Sequence, residues 1–225
     1  MTGIRNGKFS GGEVKAFVAL LFALCAVALP SSAEQERVML IPEHPPAGWS
    51  SERYFTLAQS YKSMGLPEKA KEALSLAIKV DKGGVIKKRA ETMMRAELPR
   101  YTVSPEANHL NNLGFEKLAH KEYAAAITLL NKCTVKYPRF EWPFASLSTI
   151  YLMQKKPALA RFNAQKTLAI NPFSSNGWLN LGNAALLDGD YRSARKHALK
   201  AIECNPDNAN ASEMLRYIDN KFRTR

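Results

Sequence analysis

Histidine and cysteine are scarce, with four and three copies among 225 residues. The histidines (His44, His109, His120 and His197) never stand three or four positions apart, so no helix face presents a paired metal site. No G-x-S-x-G, H-E-x-x-H or glycine-rich phosphate loop occurs, and Gly83-Gly84 reads as a turn at a helix end. Acidic residues are scattered along helix surfaces, which leaves no carboxylate pair for acid–base work. These absences predict no catalytic residue, no metal ligand and no cofactor. Acid itself is in deficit: 20 Asp and Glu face 32 Lys and Arg, a formal net charge of +12. Such a chain favours anionic partners, although lysines that merely solvate helix backs give the same count.

Long apolar runs are also missing, with one exception near the N-terminus. Ala16–Leu29 is apolar, follows Arg5, Lys8 and Lys15, and leads into Pro30 and Ser31-Ser32-Ala33. A basic flank, an apolar core and a small-residue end predict a bacterial-type secretory signal peptide over 1–33, cleaved after Ala33. The run falls short of the ~20 residues of a spanning helix, and an uncleaved membrane anchor is the alternative. Cys25 lies inside this run behind Phe22-Ala23-Leu24, which does not suit a lipidated cysteine. Export predicts a periplasmic or extracellular protein and argues against nucleic acid as a ligand. Residues 34–50, with Pro42, Pro45, Pro46 and Gly48, read as an extended proline-rich tether.

What is abundant is a period. Pro138, Pro172 and Pro206 stand 34 residues apart. Blocks 107–140, 141–174 and 175–208 place each proline at position 32. Position 4 is then Leu110, Phe144 and Trp178, and position 7 is Leu113, Leu147 and Leu181. Position 20 is Ala126, Ala160 and Ala194, and position 27 is Cys133, Thr167 and Ala201. Large residues at 4 and 7 against small ones at 20 and 27 suit two helices in close contact. The register recurs in 51–84, through Tyr54, Leu57, Ala58, Tyr61, Gly65, Ala70, Leu74 and Ala77, without the closing proline. Pro67 and Pro157 at position 17 fit the first turn of a second helix, and Asp190 suits its N-cap in the last block.

These residues resemble the tetratricopeptide repeat, most closely in Trp178, Leu181, Gly182, Gly189, Ala194, Ala201 and Pro206. Ser148 at position 8, Lys117 and Ala185 at position 11, and Ala164 and Ala198 at position 24 depart from its pattern. The resemblance implies an all-α superhelix, a solenoid of stacked helix–turn–helix units. Its expected parts are repeats at 51–84, 107–140, 141–174 and 175–208, and a capping helix with a basic tail at 209–225. Between the first two repeats, residues 85–106 interrupt the array. Ile86, Ala90, Met93, Met94 and Leu98 recur there at helical spacing, which predicts an extra amphipathic helix over 85–98 packed on the first repeat. Cys133, at a small-residue position, is expected in the core. Cys204, two units away, is beyond disulfide reach and is expected as an exposed thiol or an intermolecular bridge.

The resemblance also implies that the first helix of each unit lines a concave groove through positions 2, 5, 6, 9 and 12. The expected partner-binding residues are Asn108, Asn111, Asn112, Phe115, Trp142, Thr149, Asn176, Asn180 and Asn183. Carboxamides match the backbone of an extended peptide, and Phe115 and Trp142 offer apolar anchors. Positions 2, 5 and 6 of these blocks hold no Lys or Arg, so the clamp by which some family members grip a C-terminal carboxylate is missing. The resulting expectation is a non-enzymatic scaffold of the bacterial envelope that binds a protein or peptide in its groove. The alternative is attachment to an anionic envelope surface, lipid or cell wall, through the basic face.

Overall fold

The structure is a computed structural model that describes residues 41–223. The leader over 1–33, its cleavage site and the first part of the tether lie outside the described residues. Ten α-helices and no strand are present among those residues. They are α1 (Ser51–Ser63), α2 (Pro67–Val80), α3 (Val85–Ala96), α4 (Pro105–Ala119), α5 (Tyr123–Lys136), α6 (Glu141–Met153), α7 (Pro157–Ile170), α8 (Ser175–Leu187), α9 (Tyr191–Cys204) and α10 (Ala209–Arg223). The pairs α1/α2, α4/α5, α6/α7 and α8/α9 are antiparallel hairpins that stack into the expected all-α superhelix. No helix among the described residues is long and apolar enough to cross a membrane.

Each hairpin turns in the same way. Position 15 of every block has left-handed backbone: Gly65 at φ 68°, Lys121 at 61°, Lys155 at 55° and Gly189 at 77°. The next N–H then reaches back to the last turn of the first helix, from Leu66 to the Tyr61 oxygen at 2.8 Å and from Lys156 to the Tyr151 oxygen at 2.8 Å. Glu122 to Lys117 and Asp190 to Ala185 repeat the bond at 2.9 Å. This six-residue closure satisfies helix-end carbonyls and fixes the angle at which the second helix departs. Glycine adopts the conformation freely, whereas lysine does so against its own Cβ.

The far ends also repeat. Tyr137, Asn171 and Asn205 follow the second helices, and proline after each forces them out of the helical region, with φ near −127°, −127° and −141°. Ser104, Ser174 and Asp190 cap the helices that follow them, accepting from Ala107, Gly177 and Ser193 N–H at 3.0–3.2 Å. Inside, position 20 (Ala70, Ala126, Ala160 and Ala194) is fully buried, as the small-residue reading requires. At position 8 of the second repeat a side chain on Gly114 would come within 2.7 Å of the buried Leu130 side chain and force it to shift.

The tether's last residues fold onto the first repeat. Tyr54 donates its hydroxyl to the Pro46 oxygen at 2.7 Å, and half-buried Trp49 lies against Tyr54 under the Arg53 guanidinium. Cys133 is fully buried and desolvation pushes its thiol up to about 11. Cys204 departs from expectation. It is only 7% exposed, and burial raises its thiol against the opposing pull of the nearby Arg95 of α3. Neither cysteine is bridged.

Because Lys155 is exposed and strained, Lys155→Gly is expected to raise stability by about 0.5–1 kcal/mol, measured by urea denaturation. A loss of stability would show that the lysine's contacts outweigh its backbone strain.

Candidate partner-binding groove

The carboxamides expected in the groove divide by depth. Asn108 and Asn112, on successive turns of α4, both donate to the Gly65 oxygen, at 2.7 and 3.2 Å. They thereby fasten the α1–α2 turn to the second repeat across the interruption. Asn180 ties the fourth repeat to α6 of the third, donating to the Ala145 oxygen at 3.2 Å and to Thr149 Oγ1 at 3.4 Å. Asn111, at 4% exposure, and Asn183 are buried and form the floor. Asn111 Oδ1 and Asn108 Oδ1 are enclosed without a hydrogen-bond partner. Asn176 is exposed at the start of α8, and Thr149 is half-buried with its hydroxyl donated to the Ala145 oxygen. Repeat-to-repeat contact therefore takes up several of the amides.

The two expected anchors also part company. Phe115, on α4, is 41% exposed. Trp142 is half-buried, with its ring 6.0 Å from Phe140 and packed against the cluster that contains Leu98 and the first-repeat core. Trp142 is thus held by this chain's own α3 region.

That region is the largest departure from a simple array. Ile86, Ala90 and Met93 bury α3 on α1 and α2. Its end then crosses to the third and fourth repeats, 76 and 108 residues along the chain. Asn171 Nδ2 donates to the Arg95 oxygen at 3.2 Å, and Asn205 Nδ2 donates to Glu97 Oε1 at 3.0 Å. Glu97 also pairs with Lys62 of α1, and Arg89 pairs with Asp207 at 3.5 Å. Beside these contacts is an open cleft of about 210 Å³, lined among others by Phe55, Gln59, Lys62, Arg89, Glu97 and Asn205. The α3 segment thus meets part of the inner side of the first repeat, where Phe55 is buried and Lys62 half-buried while Glu52, Thr56 and Gln59 stay exposed, and on α4 and α6 the exposed groove position is Phe115.

Glu141, the first residue of α6, anchors the crossing segment. It is 1% exposed, and its Oε1 accepts from Arg100 N–H at 2.7 Å and from Asn171 Nδ2 at 3.1 Å, while Oε2 has no partner. Sequence reasoning missed this residue. Its only signal was a carboxylate where a large apolar row begins. Burial holds its carboxyl above the ordinary value, ahead of the hydrogen bonds that pull it down. A second enclosed group, His197 Nδ1, lies where the ring stacks on Trp178 at 5.7 Å, and burial lowers its pKa. No cluster of three metal-ligating side chains occurs among the described residues.

Family models of the tetratricopeptide repeat match residues 51–83 and 175–208. The chain contains tetratricopeptide repeats. Solved structures agree in fold. The first tetratricopeptide domain of human RPAP3 is 22% identical with a TM-score of 0.50, over 52% of this chain and 93% of that one. The Sgt2 domain from Aspergillus fumigatus is 24% identical with a TM-score of 0.51, over 53% and 81%. The first repeat domain of Spaghetti (RPAP3), bound to the HSP90 peptide SRMEEVD, is 22% identical with a TM-score of 0.51, over 55% and 98%. No curated protein matches the chain.

The raised carboxyl of Glu141 has a defined pH signature. The unfolded chain ionises this group near 4.5, so the folded state holds the proton to higher pH. Its contribution to stability is full below that value and is lost as pH rises through the folded one. Glu141→Gln keeps an oxygen for Arg100 and Asn171 but cannot ionise. The variant is expected to match the wild type within about 1 kcal/mol near pH 4 and to gain on it progressively toward pH 8, read by urea denaturation. A gap independent of pH would contradict the assignment.

Proposed function

We propose that this protein is a non-enzymatic interaction scaffold of the bacterial envelope, which binds a peptide or protein segment against α4 and α6. The observation that carries the reading is Phe115, a large aromatic left 41% exposed on the groove face while the amides around it are committed to stacking the repeats. An exposed aromatic beside a rigid, amide-rich wall is the kind of anchor that dominates binding energy. The Spaghetti domain bound to an HSP90 peptide supports peptide capture as a use of this fold. The partner here differs in kind, because Asn108, Asn111 and Asn112, and their counterparts in the next two repeats, supply no cation to clamp a terminal carboxylate. The basic flank and apolar run of residues 1–33 support export and a partner within the envelope. The second reading is attachment to an anionic envelope surface, which the net charge of +12 favours.

Pull-down from an envelope fraction with wild-type and Phe115→Ala protein tests the groove. The variant is expected to lose about thirtyfold in affinity for the captured partner, with little dependence on salt. Equal capture by both proteins, abolished by added salt, would transfer the function to the basic surface. N-terminal sequencing of the mature chain is expected to begin at Glu34, and an intact Met1 start in membranes would establish the anchored alternative.

A further inference from the structure

We propose that three arginines on one edge of the array, Arg95, Arg100 and Arg139, form a docking ribbon for a carboxylate-rich segment of a partner protein. Each guanidinium is laid over an aromatic ring: Arg95 over Phe173 at 4.9 Å, and Arg100 and Arg139 over Tyr101 at 5.7 and 3.8 Å. The rings are themselves accessible, with Phe173 46% and Tyr101 36% exposed. The three groups are contiguous. The Arg95 oxygen accepts from Asn171, Arg100 Nη1 donates to the Ile170 oxygen at 3.2 Å, and Tyr101 is shared by Arg100 and Arg139. The ribbon thus runs from the loop after α7, along the segment after α3, to the loop after α5.

None of the three guanidiniums has a carboxylate within ion-pairing distance among the described residues. Glu91, one helical turn before Arg95, makes no ion pair with it, and the other nearby acids are engaged. Glu141 is buried and turned onto Arg100 N–H and Asn171, Glu68 holds Lys71 and Val103 N–H, and Glu106 holds Lys136. Arg89, Arg161 and Arg195 each meet an aspartate instead, and Arg53, over Trp49 at 4.2 Å, is a stacked arginine that stands apart from the ribbon at the first repeat. Stacking engages the flat face of a guanidinium, and beyond the bonds of Arg100 to the Ile170 oxygen and of Arg139 to the Tyr101 hydroxyl, N–H groups remain on the edge to meet a carboxylate. A side chain already held on a ring loses less freedom when it binds. The occupant follows from the shape. Cations in a row along a narrow edge suit an extended chain, whose same-face side chains recur about every 6.6–7 Å. A membrane would engage a broad plane instead.

The inference rests on the protein-interaction reading but uses none of the groove residues. Two of its arginines come from the segment that interrupts the array, so its test is separate.

The test is fluorescence anisotropy of a labelled peptide of alternating Glu and Ala, titrated with the full chain at low salt. A Gln–Ala peptide serves as the neutral comparison and is expected not to bind. The variant R95Q/R100Q/R139Q is expected to weaken Glu–Ala binding about tenfold or more. R192Q/K196Q/R216Q removes the same charge from exposed positions on α9 and α10 and is expected to change it less than twofold. R95K/R100K/R139K keeps the charge without the planar fork and is expected to recover only part of the loss. Circular dichroism melting checks that the variants fold. If the triple variant unfolds, Arg139→Gln alone is read, with about a fivefold loss expected. Phe115→Ala is expected to leave this affinity unchanged.

Equal losses in the ribbon and control variants would reduce the effect to diffuse charge and overturn the proposal. So would loss on Phe115→Ala with the ribbon variant unaffected, which would put the carboxylates in the groove. Ribbon-dependent binding to anionic vesicles without binding to the Glu–Ala peptide would overturn it in favour of lipid headgroups.

Discussion

The Glu141 carboxylate, buried between Arg100 N–H and the Asn171 amide, holds together two parts of the chain that a plain repeat array would leave apart. An enclosed carboxylate is costly unless donors surround it, so the crossing segment and the α7–α8 loop are obliged to stay in register. Asn205 and Glu97 repeat the join one level further on. The result is a superhelix whose first repeat is tied to its third and fourth, with α3 and the residues after it as the tie.

Asn171 and Asn205 show how a repeat rule acquires a local use. Each precedes a proline and is driven into extended backbone by it. Their Oδ1 atoms accept from Phe173 and Asp207 N–H at 3.1 Å, so each amide closes its own loop. The Nδ2 groups, left facing outward, reach the α3 segment. The equivalent position in the second repeat is Tyr137, which makes no such bond. One residue type therefore shapes the loop and receives the interruption.

The same economy governs the groove. Asn108, Asn112 and Asn180 sit where a groove residue should, yet their amides are committed to the neighbouring repeat. This leaves the exposed ring of Phe115 as the distinctive feature of the inner wall. On the edge, the crossing segment carries arginines outward on aromatic rings, away from the groove. Two surfaces of different chemistry thus arise from one architecture, an aromatic-and-amide wall and a cationic rim.

The all-α superhelix was legible in the sequence because its causes are local. Proline at position 32, small residues at 20 and 27 and large ones at 4 and 7 act over one helix pair and repeat. The left-handed turn was half legible, since glycine marks it at Gly65 and Gly189 and lysine conceals it at Lys121 and Lys155. Residues whose environment is made by distant chain were not legible. Cys204 counts as exposed until the fold buries it, Trp142 counts as a free anchor until Leu98 packs near it, and Glu141 counts as a surface charge until Arg100 and Asn171 enclose it. Periodicity determined which elements form and in what order they stack. Only the tertiary structure decided which faces remain open, because burial at these positions depends on contacts 41–108 residues apart, which a 34-residue pattern does not encode.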